Sequence, residues 1–226
     1  MVAVFAVVGL ALIFAMLLGI ARSNRAFYVA NAQTISLCAT LAVYLAVGAG
    51  ILVALRRLRS PGAYLGLTWP APRDLLLTGL LIIPWYVGLV LVSSLSSLVL
   101  NGGRLVPGNS RLLFIQRPHG IGLLLLALLV TAVAAPICEE VFFRGMLLGL
   151  LRQRTYLSVA VLISSLAFGL AHASPAISLA LLPSFVYMGI VLAIVYVRTG
   201  RLTNSMLLHG LNNALVTIAA FNLAVK

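Results

Sequence analysis

Acidic residues are nearly missing from this chain: three Asp and Glu against fifteen Lys and Arg in 226 residues, only 8% of them charged. Soluble domains carry about 25% charge, and a fold of this size must show much of its surface to water. With 63% hydrophobic residues and a mean hydropathy of +1.18, the composition excludes an ordinary soluble domain. The bilayer is the solvent that accepts it. Cysteine is scarce as well. Cys38 and Cys138 stand alone in apolar stretches without a CxxC partner, and are expected to be buried free thiols that say nothing of redox compartment. Neither HExxH nor GxSxG occurs, and no serine stands in a recognisable pattern with a histidine and an acid, so a serine nucleophile is unsupported. A net charge of +12 would point to nucleic acid in a soluble protein. Here the arginines sit at the ends of apolar runs and read as interface anchors and topology signals, so no nucleic-acid partner is expected.

What is present is a series of long apolar runs. Charge-free stretches of about 20 residues mark membrane spans: 2–21, 32–55, 75–99, 121–151, 156–173, 176–197 and 203–225. No positive segment precedes the first, so an uncleaved span is expected there rather than a signal peptide. The loop 60–74 holds Pro61, Trp69, Pro70 and Pro72, the loop 100–119 holds three arginines, and Asp74 is expected in a loop. Backbone groups in lipid must bond internally, so spans of this length are helices. The expected fold class is therefore all-α, a polytopic transmembrane bundle of seven spans, or eight if Pro136 breaks the long fourth run. Loops 56–74, 152–155 and 198–202 carry eight arginines and the opposite loops and ends six cations, a weak vote for a cytoplasmic N-terminus. A multi-pass protein of a bacterial or archaeal cell membrane, with the bilayer as its first partner, is expected.

The informative residues are those lipid should exclude. Glu139 and Glu140 are adjacent within an apolar run, and a mid-membrane charge costs roughly 2.5–3.5 kcal/mol on insertion scales. Successive helical residues point about 100° apart, so the two carboxylates diverge. Arg144 lies four residues after Glu140, an order that suits an ion pair with a structural role. Glu139 is left to face something else. Of three histidines, His119 lies in a loop and is expected at the interface, whereas His172 and His209 end or occupy apolar helices. Asn213 shares a helix face with His209. Buried polar groups need partners, and one shared site for Glu139, His172, His209 and Asn213 is the economical account. One structural network of Glu139, Glu140 and Arg144 is the plainer reading of that cluster.

Two chemistries remain open for this set. A carboxylate and a histidine can deprotonate a water for attack on a peptide carbonyl, with His209 and Asn213 donating to the oxyanion. Alternatively, two histidines and one glutamate, here Glu139, His172 and His209, form a known catalytic zinc set.

Three motifs then resemble one family. Glu139-Glu140-x-x-x-Arg144, Phe168-x-x-x-His172 and His209-x-x-x-Asn213 look like the EExxxR, FxxxH and HxxxN motifs of the CAAX-protease and bacteriocin-processing family, in order and spacing, with Pro136 and Gly145 also typical. The resemblance covers about 118 to 224, so the chain divides into N-terminal spans and loops, 1–117, and a catalytic core, 118–226, within one membrane domain. It implies a bundle of mostly eight helices with an intramembrane cavity, water activated by Glu139 and His172, and an oxyanion held by His209 and Asn213, with Glu140, Arg144 and Phe168 supporting. It also implies a membrane-associated peptide or protein substrate, prenylated or not. A metal-free mechanism with no cofactor is favoured, because an amide such as Asn213 suits an oxyanion hole better than zinc. Two other functions compete: a silent immunity or assembly factor on the same fold, and a proton-coupled transporter. The transporter would need more polar residues along the first spans and two-half symmetry, which the sequence lacks. One expectation is awkward. Counted at ~1.5 Å per residue from the arginine-marked ends, Glu139, His172 and His209 lie at unequal depths of about 18, 24 and 9 Å.

Overall fold

The protein is described here by a computed structural model covering residues 15–16, 19, 23–56, 60–100, 102, 120–173 and 179–224. The expected first span, the loop with His119, and the Ser174-Pro175 half of the corner after His172 fall outside those residues or almost wholly so. Every described element is a helix. They are α1 (Arg25–Ala30), α2 (Ala32–Leu55), α3 (Pro61–Leu65), α4 (Pro72–Leu100), α5 (Ile121–Arg152), α6 (Leu157–Ala171), α7 (Leu182–Thr199, after a 3₁₀ turn at Leu179–Leu181) and α8 (Leu202–Ala224).

Four stretches, α2, α4, α5 and Leu179–Thr199, are long and apolar enough to cross a membrane. Apolar α6 has 15 residues, and α8 has 23 but carries Asn204, Ser205, His209, Asn212 and Asn213. Most of α4 turns outward, with Leu76, Ile83, Leu91 and Val99 among its exposed side chains. In water such a surface would aggregate; against lipid it is the expected face of a polytopic bundle.

Pro136 does not divide the fourth run. α5 continues through it for 32 residues, so no eighth span arises there. The helix widens into π geometry at Leu129–Ala134 and again at Val141–Leu148, flanking the turn that carries both glutamates. Proline has no N–H for the carbonyls one turn before it, and helix widenings of this kind cluster at functional sites. The last helix meets those carbonyls. A Cβ on Gly210 would lie 2.6 Å from Ala132 O, so only glycine permits this approach. Similarly, a Cβ on Gly189 of α7 would fall 2.9 Å from Ser165 Cα of α6, the close small-residue packing of membrane helices.

Glu139 and His172 are reached from the same turn, 153–156, by ~20 and ~22 Å of helix. The start of α8 is covered by protein. Leu202 is fully buried, its N–H donates to Gly66 O at 3.2 Å, and Thr203 Oγ1 donates to Thr68 O at 2.8 Å. Gly66 and Gly200 both take left-handed backbone, and a Cβ on Gly66 would lie 2.1 Å from Gly200 O. Asp74 completes this staple and corrects one expectation. It lies in the first turn of α4, where Oδ2 pairs with Arg201 Nη1 and accepts the Ala71 N–H. Cys38 is a second correction: it faces outward on α2, and only Cys138 is buried. An apolar run around a cysteine marks the span, not which face meets lipid.

Candidate active site

Glu140 and Arg144 pair as their spacing requires. Both are fully buried, with Arg144 Nη1 donating to Glu140 Oε1 at 2.8 Å. Arg144 Nη2 also donates to Gly189 O at 3.1 Å, and the guanidinium lies 4.3 Å from the centre of the Phe168 ring. Phe168 is therefore more than filler: its ring packs against the cation and against His172 and His209, whose ring centres are 4.6 and 5.8 Å away. Glu140 has further partners that its spacing did not reveal. Ser205 Oγ donates to Oε2, and His209 Nδ1 lies 3.0 Å from Oε1. An ionised carboxylate only accepts, so Nδ1 of His209 carries its proton and Nε2 turns the other way.

Glu139 faces that other way. Its Oε2 lies 3.7 Å from His172 Nε2 and 3.8 Å from His209 Nε2, is buried, and bonds to nothing in the protein. Its Oε1 accepts the Tyr44 hydroxyl at 2.6 Å. His172 caps the end of α6, where Nδ1 sits 2.7 Å from Phe168 O. A carbonyl there fixes the proton on Nδ1, which again turns Nε2 towards Glu139. Phe185 stacks on the imidazole at 4.6 Å between centres and 16° between planes. Two imidazole nitrogens and one carboxylate oxygen thus converge on one spot, where the carboxylate oxygen has no hydrogen-bond partner in the protein.

Asn213 is locked by a relay. Trp85 Nε1 donates to Asn212 Oδ1 at 3.0 Å, Asn212 Nδ2 to Asn213 Oδ1 at 3.1 Å, and Asn213 Nδ2 to Thr131 O at 2.8 Å. Thr131 O is one of the carbonyls ahead of Pro136. An amide nitrogen carries two hydrogens, so the second N–H of Asn213 is left for the cavity.

That cavity has a volume of about 280 Å³, with Glu139, His172 and Asn213 in its lining and Tyr44, Thr131 and Thr217 beside them. His209, only 2% exposed, sits behind Glu139 rather than in the wall. All four expected site residues are thus brought to one place. Tyr44, Trp85, Phe185, Asn212 and Ser205 were not expected there. A lone Tyr or Trp in an apolar span has no periodic signal, but Asn212 beside Asn213 in a membrane helix was a readable one.

Zinc would need three protein ligands about 2.0–2.2 Å from one point, which sets neighbouring ligand atoms roughly 3.4 Å apart. The two separations, 3.7 and 3.8 Å, are wider, and among the described residues no three His, Cys, Asp or Glu side chains form a group fit to hold a metal ion. Glu139, His172 and His209 as arranged stand wider apart than a closed zinc set.

A bundle of apolar helices that gathers a carboxylate, two imidazoles and an amide beside one cavity defines a class: polytopic membrane proteins with a polar site among their helices. Residues 121–215 match the family described as type II CAAX prenyl endopeptidase Rce1-like. The chain is 36% identical over 93 residues, 41% of its length, to a Bacillus subtilis (strain 168) protein named "Putative membrane peptidase YdiL". It is 30% identical over 129 residues, 56% of its length, to an "Uncharacterized 24.3 kDa protein" of Escherichia coli. These matches span 36% and 59% of the two relatives. No solved structure matches the chain.

Proposed function

We propose that this protein is an intramembrane endopeptidase that hydrolyses peptide bonds of membrane-associated substrates with water activated by Glu139 and His172, without a metal. The observation that carries this is Glu139 Oε2, buried without a hydrogen-bond donor and facing both Nε2 atoms on a cavity wall. A water there can donate to the carboxylate and to His172. As its oxygen attacks the peptide carbonyl, its proton passes to this pair, and the same proton is returned to the departing amine as the C–N bond breaks. The developing oxyanion accepts from the second N–H of Asn213 and from His209, which Glu140 holds in place. The match of residues 121–215 to the type II CAAX prenyl endopeptidase family and the Bacillus relative named "Putative membrane peptidase YdiL" support this reading, and prenylated C-termini are the first substrates to try.

The test is cleavage of matched prenylated and unprenylated peptides by the purified protein in bilayer nanodiscs, with elemental analysis and prolonged chelation in parallel. Cleavage that survives chelation is expected. Stoichiometric zinc, with activity lost on chelation and restored by zinc, would overturn the metal-free mechanism. No cleavage of either peptide class would favour an immunity or assembly role.

A further inference from the structure

We infer that Tyr44, on the second expected span and far outside the matched segment, is a positioning residue for Glu139: it holds Oε1 so that Oε2 faces the two imidazoles. This rests on the reading of Glu139 as the base. Tyr44 Oη donates to Glu139 Oε1 at 2.6 Å, the short distance of a charge-assisted bond. The torsion at the end of a glutamate is broad and two-fold. A carboxylate without a donor therefore exchanges its oxygens, and one anchored through Oε1 presents Oε2 alone.

The anchor itself is built in. Cys138 Sγ, next to Glu139 in sequence, donates to the backbone carbonyl of Tyr44 at 3.3 Å. One turn on, a Cβ at Gly48 would lie 3.6 Å from the same sulfur. α2 and α5 are thus in contact at this level and held in axial register, with the phenol opposite the carboxylate. Gln33, Ser36 and Thr40 line the cavity along the same face of α2 as Tyr44. The N-terminal half therefore supplies one wall of the site, and Tyr44 is where that wall touches the chemistry. Its hydroxyl is bonded to Oε1, the oxygen turned away from the two imidazoles, and this makes it a positioning residue.

The composition makes this testable without any peptidase assay. Glu139 and Glu140 are the only glutamates, so glutamate labelled with ¹³C at its carboxylate gives two signals, and Glu139→Gln assigns them. Tyr44→Phe should move the Glu139 signal and leave Glu140 in place. Site-specific 3,5-difluorotyrosine at position 44, which keeps size and hydroxyl but donates more strongly, should move Glu139 in the opposite sense and covers the case of a poorly folded Tyr44→Phe. In the cleavage assay Tyr44→Phe should lower kcat by roughly 10–100-fold, since small misplacements of reacting groups cost about that much, with KM unchanged. An unmoved Glu139 signal in both variants overturns the inference, as does a moved signal with unchanged kcat. If the wild type cleaves nothing, the peptidase reading fails, and the carboxylate signals alone decide whether Tyr44 holds Glu139.

Discussion

Two polar clusters meet at one turn of α5, and they differ in how far their hydrogen bonds are closed. Around Glu140 both carboxylate oxygens are bonded, to Arg144, Ser205 and His209, and nothing reaches solvent. Around Glu139 one oxygen is tied to Tyr44, and the other faces two nitrogens across gaps of 3.7 and 3.8 Å on a cavity. Adjacent residues of identical chemistry thus take opposite parts because a helix points them 100° apart. The closed cluster resembles a structural core with charge in it. The open one has room for a reactant.

The largest effect should come from the open side. Glu139→Gln keeps shape and removes the base, so cleavage should fall by at least about 10²–10⁴-fold while the melting temperature in detergent stays put. A matching loss of stability would show that the two clusters are one structural unit. On the closed side the effect is on folding. Arg144→Ala leaves a buried carboxylate unpaired, at a cost of about 3–5 kcal/mol, and should appear as a lower folded yield on size exclusion. A double replacement, Glu140→Leu with Arg144→Met, should restore folding, because apolar substitutes for a buried pair are often tolerated. It should not restore cleavage, because His209 loses the acceptor that orients it. A well-folded but inactive Arg144→Ala would instead put Arg144 in the chemistry. The smallest effect is at the end of the relay. Trp85→Phe leaves Asn212 Oδ1 without its donor, at about 1–3 kcal/mol, and cleavage should drop less than in Glu139→Gln. Unchanged melting and activity in Trp85→Phe would show that Asn213 is held from α5 alone.

Much of this was legible in sequence, and the physics says why. Lipid penalises stray polarity, so Glu139, His172, His209 and Asn213 stood out against their apolar surroundings and had to converge. The Glu140–Arg144 pair was readable because both partners share one helix at a fixed spacing. What was not legible depends on contacts between helices. Tyr44 and Trp85 reach the site from segments 94 or more residues away, and a single aromatic on a span reads as an ordinary lipid or packing residue. The link from Glu140 to His209 was hidden because its pairing with Arg144 already explained it. Pro136 leaves an eighth span open in the sequence, because proline costs an ordinary helix a hydrogen bond. Here α5 widens, and α8 meets the carbonyls ahead of it.

That last arrangement has a consequence in time. The carbonyls ahead of Pro136 and the open oxygen of Glu139 find their protein neighbours on segments made later. Arg144 leaves the ribosome five residues after Glu139, and so Glu140 can be neutralised within its own helix. Glu139 must wait for His172 and then for His209, about 70 residues on, or some 4–14 s at about 5–20 residues per second. For that interval Oε2 of Glu139 lacks its imidazole neighbours and the backbone ahead of Pro136 lacks its cover, and α8, made after the other helices of the site, supplies a neighbour to both.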